Sequence, residues 1–315
     1  IVSSDNICEK LNLDVSNKII IDNDTTNYRT NNFFMTPISS SISDQTAPNQ
    51  LNYKEYLEKS YQNNNKKCLF LFGNNIGESP SSYLHNEVIN DTKISYFPLE
   101  TNNVEEIISI INSNYFIGAS ITMPFKEVLI NKIKNDSKLN AINTIIKSDN
   151  EFKFCNTDTL AIKYFLKDLP IFILGTGGAA IGAIEACINK DVTVVGRSIE
   201  KLKILKDKFN KIKTKDINLF SKLDFPHTII NCIPPNISIN KYINNNSYLI
   251  DMTYGIHIFG LTNNLKNYVS GYDILYVQAA YQYLNWFEDK NEEEIINKYK
   301  KAMDKFISHK YNLIR

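Results

Sequence analysis

The chain has 315 residues and a mass of 36.2 kDa, enough for two compact units and short of three. At 43% hydrophobic and 22% charged it reads as a soluble globular chain, and no stretch approaches the roughly 18 apolar residues that a membrane span needs. Lys and Arg total 35 against 34 Asp and Glu, and the resulting net charge of +1 leaves no electrostatic footprint for nucleic acid.

The first 60 residues hold a helix candidate near Asp5–Leu11, an apolar run Ile19–Ile21, a Ser-rich loop Ser39–Gln50 and a helix near Tyr53–Tyr61. The polar run Gln62–Lys67 reads as a linker. Beyond it the pattern becomes regular. Cys68–Phe72 is a continuous apolar run ending in Gly73, as in a strand buried on both faces. A helix at Ser82–Ile89, a strand at Ser95–Pro98, a helix at Val104–Asn112 and a strand at Tyr115–Ser120 follow, which implies βαβ units. A second unit opens near Pro170 with a strand Ile171–Leu174, a turn Gly175–Gly178, a helix Ala179–Lys190 and a strand Val192–Val195. Runs at His227–Ile230 and Tyr248–Ile250 supply two more strands, and from about Tyr276 the chain is helical in pattern. The fold class expected is α/β, with a parallel sheet in the second unit.

Five widely spaced cysteines, Cys8, Cys68, Cys155, Cys187 and Cys232, offer neither a disulfide framework nor a metal spacing, so they read as reduced thiols of a cytoplasmic protein. The four histidines form no i, i+4 pair, and no metal is expected. About 40 residues are Asn, a compositional bias. The chain starts at Ile1 rather than Met, as a cropped chain would, and a crop would hide any targeting peptide.

Gly175-Thr176-Gly177-Gly178-Ala179-Ala180 lies directly between an apolar strand and a helix, the context in which such a run cradles a pyrophosphate. Gly175, Gly177, Gly178 and Ala179 are the candidates: glycines allow the tight turn and close backbone approach, and the helix start attracts the anion. Taken alone, the same run would also suit a plain tight turn. The next strand end separates the cofactors. An NAD site has Asp or Glu there for the ribose hydroxyls, whereas Val195 runs into Gly196-Arg197-Ser198-Ile199-Glu200-Lys201. Arg197 as a planar fork and Lys201 as a point charge, with Ser198 between them, suit a 2′-phosphate and imply NADP.

Three motif-like segments precede the nucleotide unit: Gly73 through Asn86, Gly118 through Glu127, and Ala141-Ile142-Asn143-Thr144 followed by Asn156-Thr157-Asp158. With the nucleotide turn, Leu249–Tyr254 and Gly271–Ala280, their order and spacing resemble shikimate dehydrogenase over about residues 68–315. The resemblance implies reversible hydride transfer from NADPH to the ketone of 3-dehydroshikimate. Lys126 and Asp158 match the family's catalytic lysine and aspartate, each expected to keep the other ionised. Ser79 and Ser81 match its carboxylate-binding serines, and Thr122, Asn143, Tyr254 and Gln278 its other substrate contacts. On their own, the two serines would also serve as helix caps and Tyr254 as a core aromatic. The sequence departs from the family at Asn140, Phe154, Thr159, Ile233 and Asp273-Ile274, the last placing a carboxylate near the expected cofactor position.

The resemblance implies a substrate-binding α/β domain at 62–160 completed by helices at 275–315, and a Rossmann-like NADP domain at 161–274. Residues 1–61 have a likeness of their own. Phe33–Ile38 and Thr46–Leu51, with Arg29, resemble the end of a type I 3-dehydroquinate dehydratase barrel, with Asn49 where that family has Gly. The barrel's Schiff-base lysine would lie upstream, so the segment implies covalent linkage to other shikimate-pathway domains in a longer chain. Two other readings are quinate dehydrogenase on the same scaffold and an inactive nucleotide-binding module.

Overall fold

Strand β1, Lys67–Gly73, sorts its side chains by the period of two that a pleated strand imposes. Cys68, Phe70 and Phe72 enter one apolar cluster, and Leu69 and Leu71 enter another on the opposite face. Phe70 and Phe72 stack with ring centres 5.3 Å apart. The computed structural model describes residues 65–312 apart from 75, 78, 134–138, 149–150, 235 and 254–266. The barrel-end resemblance of the N-terminal segment, the elements expected there, and Tyr254 lie outside the described residues.

β1 pairs in parallel with β2 (Ile94–Glu100) and β3 (Phe116–Ile121), and the sheet continues antiparallel through β4 (Thr144–Ser148) and β5 (Glu151–Cys155). Helix α1, Ser81–Val88, follows β1. Helix α2, Val104–Ile111, covers the Phe70 face with Ile107 and Ile110. It starts on Asn103, whose side chain accepts from Glu105 N, and carries Glu105 and Glu106 in its first turn where the helix dipole favours them. Helix α3, Phe125–Lys132, adds Phe125 and Leu129 to the same cluster. The β4–β5 hairpin is not anticipated by the sequence pattern. Lys147, Glu151 and Lys153 break up its apolar runs, as charged residues do on a sheet edge, and β4 is short.

Helix α4, Thr157–Phe165, leads into a six-stranded sheet that is parallel throughout. Its strands are β6 (Ile171–Leu174), β7 (Val192–Gly196), β8 (Lys213–Asp216), β9 (His227–Asn231), β10 (Ser247–Asp251) and β11 (Tyr268–Val269). Helix α5, Gly178–Cys187, joins β6 to β7, and α6, Ile199–Lys208, joins β7 to β8. The order β11-β10-β9-β6-β7-β8 puts the chain's change of direction between β6 and β9, the place where such sheets open a crevice at their carboxyl ends.

The chain then returns through α7, Gly271–Phe287, and α8, Glu292–Asn312. Tyr272 to Ala280 of α7 pack with Ile250, Ala161 and Leu84, while Tyr283, Trp286 and Phe287 cover the Leu69 face of β1, so one helix is shared by both sheets. It begins earlier than its apolar pattern suggests because Ser270 and Asp273 form a reciprocal capping box. Asp273 Oδ2 takes Ser270 N at 2.9 Å and Ser270 Oγ at 2.6 Å. The carboxylate expected beside the cofactor is instead committed to this cap, and Asp273 does not line the cleft described below. Among the described residues no helix is long and apolar enough to cross a membrane.

Candidate active site

The carboxyl ends of β1, β3 and β6 open onto one cleft of about 990 Å³ between the two sheets. Gly73 closes β1 where no side chain fits: a Cβ there would lie 2.2 Å from Thr122 Cγ2. Ser79 and Ser81 follow at the start of α1, with Ser79 Oγ donating to Ser81 Oγ at 3.1 Å. Pro80 is the N-cap and makes no side-chain cap bond. The Ser79 hydroxyl reaches Ser81 N only at 3.4 Å, a long contact for a cap. Both serines line the cleft.

Past β3, Thr122 accepts Phe125 N on its carbonyl at 2.9 Å and so turns the chain into α3. That turn sets Lys126 in the first turn of α3. Asp158 sits in the first turn of α4. Lys126 Nζ reaches Asp158 Oδ2 at 2.5 Å, and the side chains are only 18% and 10% exposed. A pair so shielded is held more firmly than a surface ion pair. Asn143 stands at the entry to β4 and Gln278 in the middle of α7, and Asn143 Nδ2 donates to Gln278 Oε1 at 3.0 Å. Thr157 N donates to Asn143 Oδ1 at 2.7 Å.

The glycine turn forms the opposing wall. Gly175 has φ +118°, a region that side chains rarely adopt, and a Cβ there would stand 2.9 Å from Cys232 O. Gly177 is the N-cap of α5, with no side-chain cap bond and nothing within 4 Å of the position a Cβ would take. Gly177, Gly178 and Ala179, which open α5, all line the cleft. A Cβ on Gly178 would be 3.6 Å from Glu127 Oε1 and 3.8 Å from Lys126 Cβ, so the two walls meet here. Arg197, Ser198 and Lys201 also line the cleft, and Ser198 Oγ caps α6 by accepting Lys201 N at 3.3 Å. Burial, reinforced by the Asp251 and Asp158 carboxylates, pushes the Cys232 thiol well above its ordinary range, which removes it as a nucleophile.

Every candidate residue read from the sequence lines this cleft, Ala179 included, except Tyr254, which lies outside the described residues. Ser120, Glu127 and Gln282 line it too and are not singled out by the sequence patterns. Gln282 carried a usable signal: it is polar, one turn from Gln278, in a helix otherwise rich in buried apolar residues.

Residues 71–145 match the family model described as the shikimate dehydrogenase substrate binding domain. The chain is 29% identical over 305 residues to the pentafunctional AROM polypeptide of Pneumocystis carinii, covering 82% of this chain and 19% of that polypeptide. It is 28% identical over 211 residues to the shikimate dehydrogenase (NADP(+)) of Clostridium botulinum, covering 58% of this chain and 81% of that protein. A solved shikimate dehydrogenase in complex with NADP+ shares the fold at a TM-score of 0.64 and 22% identity, over 76% of this chain and 96% of that one. The family match and the fold agree, and together they identify residues 71–145 as a shikimate dehydrogenase substrate-binding domain set within the shikimate dehydrogenase fold.

Proposed function

We propose that the chain is an NADP-dependent shikimate dehydrogenase that interconverts 3-dehydroshikimate and shikimate. The observation that carries this reading is the shielded Lys126–Asp158 pair facing the Gly175–Gly178 turn across a single cleft. NADP fits the donors present: the open N-terminus of α5 suits the pyrophosphate, and Arg197, Ser198 and Lys201 suit a 2′-phosphate. When bound, NADP supplies the hydride donor and acceptor. The chain's own residues do the rest. In the direction of reduction Lys126 Nζ gives a proton to the oxygen of the former ketone and stabilises its developing negative charge, then regains a proton from solvent. Asp158 holds the ammonium in place and accepts from the reacting hydroxyl. In the reverse direction the pair takes that proton back.

A carboxylated, hydroxyl-rich ring needs paired polar groups when buried, and Ser79, Ser81, Thr122, Asn143 and Gln278 offer them, with Tyr254 as a further contact. The working division is a substrate domain at 62–160 with 275–315 and a nucleotide domain at 161–274. The likeness to the pentafunctional relative supports the chain as one segment of a multifunctional polypeptide, and the reading of 1–61 as a barrel end rests on its own Phe33–Ile38 and Thr46–Leu51 motifs.

The test is spectrophotometric. NADP reduction is followed with shikimate, then with quinate, then with NAD in place of NADP. The reading expects the first pairing to be the fastest, and folded protein inactive in every pairing would refute it.

A further inference from the structure

We propose that Gln282 is a positioning residue that, through Thr144 and together with the backbone N–H of Thr157, holds the hydrogen-bond polarity of the Asn143–Gln278 pair, so that the pair presents N–H donors to an acceptor oxygen of the substrate. The proposal rests on the substrate assignment above and deepens it.

A backbone carbonyl can only accept. Asn143 O faces Gln282 Nε2 at 3.2 Å, so turning the Gln282 amide over would set oxygen against oxygen. The same nitrogen donates to Thr144 Oγ1 at 3.1 Å. Having accepted there, the Thr144 hydroxyl spends its one proton on Asn143 Oδ1 at 2.8 Å. Asn143 Oδ1 also receives Thr157 N, so the Asn143 NH₂ group must be the end that faces Gln278 Oε1. Gln278 Oε1 lies 3.2 Å from Thr157 Oγ1 as well. What remains on the cleft side is Gln278 Nε2, with no partner among the described residues, and the second N–H of Asn143. Both are donors.

The far end of Gln282 is held with equal completeness. Its Oε1 accepts Ser120 Oγ at 2.9 Å and His85 Nε2 at 3.1 Å. His85 therefore carries its proton on Nε2, and its Nδ1 accepts Tyr299 Oη–H at 2.6 Å. Ser120 Oγ in turn accepts from Tyr96 Oη at 2.7 Å. His85, Gln282 and Tyr299 are almost wholly buried, so water cannot replace a lost partner. The relay runs from α1 and α8 through α7 to the entry of β4, where two backbone groups, Asn143 O as acceptor and Thr157 N as donor, set the direction of its bonds. A hydroxyl or ketone oxygen at the Asn143–Gln278 pair is bound as an acceptor, with Lys126 and Asp158 across the same cleft.

The test measures shikimate affinity by titration calorimetry, with and without NADP+, in Gln282→Leu, Thr144→Val, the double variant and Thr144→Ser. Thr144→Val keeps the shape of the side chain and so guards against a Gln282 variant that fails to fold. Each of the first two is expected to raise the shikimate Kd about tenfold or more, with NADP+ affinity unchanged. The double variant is expected to be no worse than the worse single one, because both break the same relay. Thr144→Ser, which keeps the hydroxyl, should restore affinity. Unchanged shikimate affinity in variants that melt cooperatively, or effects that add in the double variant, would overturn the proposal. Wild-type protein that binds no shikimate would overturn the function assignment, and this inference with it.

Discussion

Lys126 and Asp158, 32 residues apart in sequence, meet at 2.5 Å because each stands in the first turn of its own helix where both open onto the cleft. Asp158 is favoured there by the positive end of α4 as well as by the ammonium. Lys126→Ala is therefore expected to lower kcat by ~10²–10⁴ with little change in the KM for shikimate. Asp158→Asn should act in the same direction, and the double variant should be scarcely worse than either alone, since the two act as a unit. Steady-state kinetics decide it: a raised KM at unchanged kcat contradicts the assigned roles.

Arg197 and Lys201 line the cleft at the carboxyl end of β7. Losing a charge-assisted contact to a 2′-phosphate should raise the KM for NADP+ by roughly tenfold to a hundredfold in Arg197→Ala, and less in Lys201→Ala. The KM for NAD+, which lacks that phosphate, should not move. Equal effects on both cofactors would place the two cations elsewhere on the nucleotide.

His85 is fully buried, and burial pushes its pKa down from 6.5 to about 3. Between those values the unfolded chain binds a proton at His85 that the folded chain refuses. Stability from this group is therefore complete above about pH 6.5 and is lost as pH falls, at up to about 1.4 kcal/mol per pH unit until pH ~3. Urea unfolding of His85→Asn against wild type should show a shallower decline between pH 6.5 and 4 in the variant. Parallel curves would mean that His85 is protonated in the folded protein.

Gly175 combines φ +118° with Cys232 O at 2.9 Å from any added Cβ. Gly175→Ala must strain the backbone and displace a carbonyl, and is expected to destabilise the fold by roughly 1–3 kcal/mol and to weaken NADP+ binding. Gly177→Ala, with open space at its Cβ position, should fold normally. A thermal melt of the two side by side separates strain from a general intolerance of the turn.

Two of the departures from the family pattern acquire partners on α5. Asn140 Nδ2 donates to Glu185 Oε1 at 2.8 Å, and Thr159 Oγ1 donates to Gly182 O at 3.1 Å. Both join the first sheet's chain, or the helix that leaves it, to the nucleotide sheet's first helix. Asn140→Gly and Thr159→Gly are each expected to cost about 1 kcal/mol, read as a lower urea midpoint at unchanged slope. No change in midpoint would show that these bonds are made equally well by water.

The glycine turn is legible in the sequence because its chemistry depends on neighbours within a few residues, whereas the Lys126 loop and the serines at the start of α1 are reached through the family resemblance. Strand β1 is legible for the same reason as the turn: an apolar run ending in glycine has few other places to go. The start of α7 is not, since Ser270 and Asp273 act as a cap only when the backbone between them is already helical. The β4–β5 hairpin is missed because charged edge residues mask its alternation.

The sequence by itself determined the local machinery: which residues could bind phosphate, carry a proton or close a turn, and in what order the alternating elements run. Only the tertiary structure decided how those groups are aimed. His85, Ser120, Asn143, Gln282 and Tyr299 come from five separate elements or their junctions, and no local pattern links them. Their hydrogen-bond directions follow from one another only once packing has brought them together away from water, where each buried donor must find an acceptor and no partner can be exchanged.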